Sequence, residues 1–406
     1  MGLAIFLRSL VLYDPKGDEF TYISLAHSIV TGEGFSLNGK LTSFFPPLYP
    51  FFLSLIFTLW GENIFYAKVA QVILGGLTCV PLYLLGKFLF SKKNAFISTF
   101  FFAIHLPLIY ASGRLLTETL FSFLLLLFVL FFLTSKKWIS LSLCGFFLGL
   151  ATLTRPSLLY LPLILVIFIL YSREYKKFWV ILTLALTLLP WTIRNYFVHK
   201  HFVLITTYTG YILYNSTHPV DGKKFGFMTP EDDTIKKSKQ ISSEVERSHF
   251  LYREGMKSIH QNPLQYGKLA FLKILFFWVP FDWEMISNEG KAIFNFSYAF
   301  IFPFFLIAVF QLLRNSNRGH YFILSLLAYF CLFSIVSYGS PRFRLPLEPY
   351  IIVLGVQGLL GFYDRFGWKL SSWILTFFLV FNLHIYYYSE FYKKPLAAFL
   401  NMIGLW

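Results

Sequence analysis

The chain has 406 residues, 56% of them hydrophobic and 21% aromatic, with 51 phenylalanines and only 14% charged side chains; its mean hydropathy is +0.62. A soluble domain carries about a quarter charged residues, so a soluble globular protein is excluded. The net charge of +15 sits in short breaks between apolar runs, a placement that fits membrane orientation and argues against nucleic acid as a partner.

The chain opens on a short apolar piece, Met1 to Leu12, which as a helix rises only about 18 Å against a hydrocarbon core of about 30 Å. Either the start lies too late or a first helix is incomplete. The segment lacks the basic n-region and small-residue cleavage site of a signal peptide. Apolar runs then predict spans at 63–90, 94–112, 115–134, 138–154, 157–172, 177–195, 294–313, 320–338, 345–362 and 369–388. The expected architecture is an all-α polytopic membrane domain over 1–406, with about 10 to 11 transmembrane helices. With the stretch around Asp18 outside, Lys92-Lys93, Lys136-Lys137, Arg173 with Lys176-Lys177, Arg314 with Arg318, and Arg365 with Lys369 all fall on the cytoplasmic side.

The remaining material is expected outside, in a first external loop at 13–62 and a longer one at about 196–293. "PPLYPFFLSLIFTLWG" is short for a span and starts with prolines, which suits an interfacial helix. "KLAFLKILFFWVPF" at 268–281 reads the same way, and the polar stretch before it predicts a small helical subdomain. Cys79, Cys144 and Cys331 lie in apolar segments and form no disulfide or metal pattern.

Within the first loop, Asp18 and Glu19 follow the turn-like "DPKG" and open a helix in which Tyr22, Leu25, Ala26 and Ile29 share a face. Asp18 is expected to cap that helix with Glu19 complementing its dipole, or to act as a general base at the membrane surface; the two roles are compatible. Glu118 has Arg114 four residues earlier, so it either forms an i,i+4 ion pair or lines the same outer cavity as Asp18. Arg155 and Arg194 stand at outer mouths of helices, where they snorkel to head groups or bind an anion. In "GSPRFRLPLEPY", Pro341 and Pro346 disfavour helix, and an extended chain would put Arg342 and Arg344 on one side. Two such guanidinium groups make a phosphate clamp, unless Glu348 or head groups satisfy them. Lys16 is a weaker candidate for the same anion.

The chain has no glycine-rich phosphate loop, H-E-x-x-H or G-x-S-x-G. It also lacks the D-x-D pattern, which argues against a soluble nucleotide donor. Asp282 and Glu284 in "FDWE" are weak metal candidates, and His199 and His201 read as interfacial. Asn215 and Asn295 head glycosylation sequons.

In their order and spacing, "GDEFTYISLAHSIVTGEGF", "FPPLYPFFLSLI", "GRLLTETLF", "TRPSLLYLP", "LPWTIRNY" and "RFRLPLEPY" resemble the bacterial members of the glycosyltransferase 39 group over about 13–360. That group holds protein O-mannosyltransferases and lipid A aminoarabinose transferases on the membrane-embedded GT-C fold. The resemblance implies a polyprenyl-phosphate-linked sugar donor and transfer with inversion to a hydroxyl of an envelope glycan, lipid or protein, at the outer face of the plasma (inner) membrane. It places the base at Asp18 with Glu19 beside it, and a second acidic residue at Glu118. Lys16, Arg194, Arg342 and Arg344 would meet the lipid phosphate, with Arg155 and Tyr22 as further site residues. A divalent metal is possible but not obligatory, since a lipid phosphate is already a good leaving group. A transporter of lipid-linked sugars is the competing reading, but it would carry charges near the bilayer midplane, whereas here the notable ones gather on one side. An inactive assembly paralogue is a third.

Overall fold

In hydrocarbon every backbone N–H and C=O must be satisfied within the segment, so long apolar runs become helices. The computed structural model describes residues 1–218, 232–282, 293–314 and 317–387. After α1 (Gly2–Ser9) come α2 (Asp18–Val30), a hairpin of β1 (Ser36–Leu37) and β2 (Lys40–Leu41), and α3 (Leu48–Trp60). Next are α4 (Ile64–Leu77), α5 (Cys79–Leu89), α6 (Lys92–Ile104), α7 (Leu106–Gly113), α8 (Glu118–Thr134), α9 (Trp138–Thr154), α10 (Leu161–Ser172) and α11 (Phe178–His199). A polar set follows, α12 (Thr209–Thr217), α13 (Asp233–Gln240) and α14 (Glu244–Gln261), and then α15 (Pro263–Trp278). A short pairing of β3 (Phe281–Asp282) with β4 (Ile293–Phe294) leads to α16 (Phe296–Arg314), α17 (Arg318–Val336), α18 (Pro341–Arg344) and α19 (Glu348–Tyr387).

Among the described residues, 64–89, 175–199, 296–314, 318–336 and 341–385 are long and apolar enough to cross a membrane. The shorter apolar helices α8 and α9, of 17 residues each, sit at the lower limit of about 17 for a crossing. The protein is a multi-pass membrane protein. Three expected spans differ in detail. The one at 94–112 is a pair, α6 and α7, bent by 52°, because Pro107 has no N–H to donate and cannot continue α6. Those at 345–362 and 369–388 are the two halves of α19, broken at Gly367, whose φ of 71° suits only glycine.

α8 is apolar all round and forms the axis of the core: Phe121, Leu125, Phe128, Val129 and Phe132 are fully buried. α9 approaches α11 closely through Gly145 and Gly149, where a Cβ at Gly149 would fall 2.5 Å from Thr187 Cβ. The basic breaks meet at the end of the bundle opposite Glu118. There Arg318 donates to Ser172 O (3.1 Å), and Lys176 and Lys177 stand over the Trp138 and Phe132 rings. The first loop and the helices α12 to α14 gather at the other end, tied by Glu244 of α14 to Thr42 Oγ1 (2.6 Å) and Ser43 N (3.1 Å).

α15 packs along α17 and passes under Gly339 so closely that a Cβ there would overlap Lys273. Lys273 is buried and donates to Ile335 O at 2.8 Å. Burial pulls its ammonium from the usual 10.5 down to about 7. Between those values the unfolded chain holds a proton that the folded chain lacks, so stability rises with pH across that window. Lys273→Met should remove this slope: its thermal midpoint in detergent should exceed wild type most at pH 7 and least near pH 10.

Candidate active site

Gly17 is the N-cap of α2, with a φ of 54°. Asp18 is the first helical residue and caps nothing, contrary to the sequence expectation. Its side chain is 60% exposed and reaches Arg342. Glu19, expected to stand beside it as a second acid or a dipole partner, is turned inward and fully buried. Its carboxylate accepts from Arg114 Nε, from Leu115 N (2.7 Å) and from Lys16 N (3.2 Å). Glu19 is therefore the clasp between α2 and the turn that starts α8. Arg114 pairs with Glu19 rather than Glu118, because it sits in extended backbone (φ −104°, ψ 132°) outside the helix, where i,i+4 spacing has no meaning. The same turn is held from behind by Gln71, which accepts from Tyr49 Oη (2.6 Å) and donates to Ser112 O (3.1 Å) and Arg114 O.

Glu118, freed from Arg114, faces the loop. It is 1% exposed; its Oε1 accepts from Arg342 Nε at 2.5 Å and lies 3.5 Å from Arg155 Nη1. Arg342 Nη1 reaches Asp18 Oδ2 at 3.4 Å. One guanidinium thus bridges an exposed and a buried carboxylate on segments far apart in the chain. Arg155 stands over the Phe343 ring at 4.9 Å, which orients it beside Arg342. Tyr22 is buried against Phe45 and Tyr49. Burial, with the nearby Asp18 carboxylate, holds its hydroxyl well above the ordinary tyrosine range, so it faces the site as a protonated donor.

The extended clamp is corrected. Ser340 Oγ accepts from Arg342 N (3.2 Å) and Pro341 opens the helix, so "SPRFR" is a capped turn rather than an extended strand. Residues two apart on a helix point about 200° apart, and only Arg342 faces Asp18. Arg344 is fully buried, donating to Phe277 O (2.6 Å), Val279 O (3.0 Å) and Glu348 Oε1 (3.3 Å) over the Tyr298 ring. Glu348 in turn meets His105 Nε2 at 2.7 Å, so this inner network fastens the break after α6 to the start of α19.

Arg194 is also committed elsewhere. It donates to Thr42 O (2.8 Å), Ser43 Oγ (2.8 Å) and Phe35 O (3.1 Å), fastening the first loop to α11. His199 joins it at Ser43 Oγ (2.8 Å) rather than lying at a lipid interface, while His201 is exposed. The Lys16 side chain is exposed, and its backbone supports Glu19. Glu284 and the side chain of Asp282 lie outside the described residues. The residues missed from sequence are Gln71 and Tyr49; a glutamine inside an apolar span was the available signal.

Aligned on this frame, the chain superposes on ArnT from Cupriavidus metallidurans bound to undecaprenyl phosphate, with a TM-score of 0.57 and 14% identity, over 90% of this chain and 59% of that one. The oligosaccharyltransferase of Archaeoglobus fulgidus in the apo form gives the same TM-score of 0.57 at 14% identity, over 94% and 53%. AglB from that organism, in complex with an inhibitory peptide and a dolichol-phosphate, gives 0.55 at 13%, over 94% and 52%. The chain has the GT-C fold. It spans between about half and three fifths of the length of those GT-C structures. Residues 45–193 match the family model described as dolichyl-phosphate-mannose-protein mannosyltransferase, which bears out the glycosyltransferase 39 resemblance. No curated protein matches the sequence.

The Glu19 clasp implies a contrast between neighbours. Glu19→Gln leaves Arg114 half-buried and unpaired and should cost about 3 kcal/mol, whereas Asp18→Asn, being exposed, should stay within about 0.5 kcal/mol. Thermal unfolding of the two variants in detergent measures the difference.

Proposed function

We propose that the protein is a membrane glycosyltransferase that moves a sugar from a polyprenyl-phosphate carrier to a hydroxyl of an envelope glycan, lipid or protein. The observation that carries this is Arg342, held between the exposed Asp18 and the buried Glu118. Asp18 takes the proton of the acceptor hydroxyl as its oxygen attacks the anomeric carbon. The bond from that carbon to the phosphate oxygen breaks on the opposite face, its electron pair passes to the phosphate, and the configuration inverts. Arg342 meets the charge that develops on the departing phosphate. Arg155 supplies a second cation, since its Nη1 is buried with no hydrogen-bond partner. Glu118 holds both guanidinium groups in place, and Tyr22 offers a neutral donor beside them.

The undecaprenyl phosphate and dolichol-phosphate bound to ArnT and AglB support the carrier class. Reading the basic end of the bundle as cytoplasmic supports an outer-face position for Asp18 at the plasma membrane. With two guanidinium groups at the phosphate, the reaction needs no metal, so transfer should persist in EDTA; loss restored by magnesium or manganese would overturn that part.

The test uses purified protein, a synthetic polyprenyl-phosphate sugar and envelope acceptors. Asp18→Asn should lower transfer by about 10²-fold or more while still binding undecaprenyl phosphate; undiminished transfer refutes the base. Arg342→Ala should weaken that binding by about tenfold or more, the loss of one charge-assisted contact. Arg344→Ala should instead lower the thermal midpoint. Equal donor affinity in wild type and Arg342→Ala sinks the phosphate assignment, and lipid-linked sugar movement without transfer points to a transporter.

A further inference from the structure

Beside Asp18 stands an aromatic wall that the reaction described above does not use. Phe44 and Phe45 of the first loop meet Tyr208, the N-cap of α12, and Tyr211 in its first turn. Phe45 and Tyr208 lie nearly parallel (6.3 Å between centroids, 19°), as do Tyr208 and Tyr211 (5.2 Å, 28°). Phe44 packs edge-to-face with Tyr208 (4.8 Å) and Tyr211 (5.8 Å). All four residues are only half-buried.

Tyr22, one turn after Asp18 on α2, joins the wall edge-on at Phe45 (5.8 Å). The Tyr208 and Tyr338 hydroxyls share a hydrogen bond, and Asn215 Nδ2 donates to Tyr338 Oη at 3.4 Å. Burial, with the Asp18 carboxylate adding to it, holds both hydroxyls above the ordinary tyrosine range, so they stay protonated. Tyr338 tilts against Phe343 (5.7 Å), the ring that carries Arg155. Asp18 therefore has two kinds of neighbour, tyrosine hydroxyls from the wall and the Arg342 guanidinium.

Fastening the loop does not need these rings. Thr207 N already donates to Ser43 O (3.0 Å) and Thr206 Oγ1 to Phe44 O, while Glu244 accepts from Thr42 Oγ1 (2.6 Å) and Thr207 Oγ1 (3.2 Å). A Cβ at Gly210 would overlap Ser248 O, so α12 rests directly on α14 and carries Tyr208 and Tyr211 on a fixed backbone. Preorganised, partly exposed rings with hydroxyl groups at hand suit a ligand that is apolar on its faces and hydroxylated at its rim. A sugar ring is such a ligand. An anionic acceptor would need cations of its own, and Arg342 and Arg155 are already paired with Glu118. We propose that the wall is the acceptor subsite and that the acceptor is a neutral glycan, whose rings rest on Phe44, Tyr208 and Tyr211 and whose hydroxyl reaches Asp18. This rests on the glycosyltransferase reading and narrows its acceptor to one class.

The test measures binding without donor, by saturation-transfer NMR on the full-length protein in detergent, with neutral mannose, glucose and galactose tetrasaccharides. At least one should take up saturation at its C–H protons from the protein's aromatic protons. Tyr211→Leu, which keeps the bulk, should weaken that binding by about threefold to tenfold, and Tyr211→Phe by less. In transfer, Tyr211→Leu should raise the acceptor KM while undecaprenyl phosphate binds as in wild type. No saturation of any tetrasaccharide, or equal affinity in Tyr211→Leu, overturns the proposal. So does Tyr211-dependent binding of a serine- and threonine-bearing peptide, which would make the acceptor a protein. If Tyr211→Leu does not fold, equal affinity in Phe44→Leu overturns it instead. A tetrasaccharide held through Tyr211 by a protein that transfers no sugar leaves the sugar site standing and removes the glycosyltransferase reading. Transfer to peptide or lipid with no tetrasaccharide bound does the reverse.

Discussion

A carboxylate taken out of water is tolerated only where cations and hydrogen bonds replace the water it loses. Glu118, at the start of the buried helix α8, imposes that condition on everything around it. It is met by Arg342 and Arg155, which brings α18 and the end of α9 to the start of α8. Because Arg342 also touches Asp18, the same requirement that stabilises a buried charge assembles an exposed one beside it.

Three further contacts keep the first loop from swinging away. Glu19 fastens the start of α2 to Arg114 and Leu115. Arg194 holds the carbonyls of Phe35 and Thr42, and Glu244 of α14 binds Thr42 and Ser43. These fastenings lie at the start and in the middle of the loop, so Asp18 is exposed on a backbone that is itself fixed. An accessible carboxylate on an immobile base is what general-base chemistry asks of a scaffold.

Sequence and structure part company over partners more than over elements. α2, α3, α8, α9 and the polar helices before α15 lie close to where apolar runs and turn residues put them. The i,i+4 pair of Arg114 with Glu118 and the clamp of Arg342 with Arg344 fail for one reason, since both used sequence spacing as if the local backbone were known; the alternatives, Glu118 in the cavity with Asp18 and Glu348 on Arg344, are what the structure has. Arg114 stands in extended chain just before its helix, and Arg344 in a helix where two prolines suggested none. The overlooked signal was Ser340 before Pro341, a cap followed by the one helical position that proline favours. Gln71 announced itself only as a polar residue in apolar surroundings, with no hint of what it would meet.

What the sequence determined by itself was the membrane class and the set of polar residues that could do chemistry. Those follow from hydropathy and charge, which are properties of each segment alone. The tertiary structure alone decided that Arg342 and not Arg344 faces Asp18, that Glu19 is a clasp, and that Glu118 is shared by two arginines. The reason is physical: a buried charge takes whichever counter-charge the packing of distant helices brings within about 3 Å, and no local pattern records that distance.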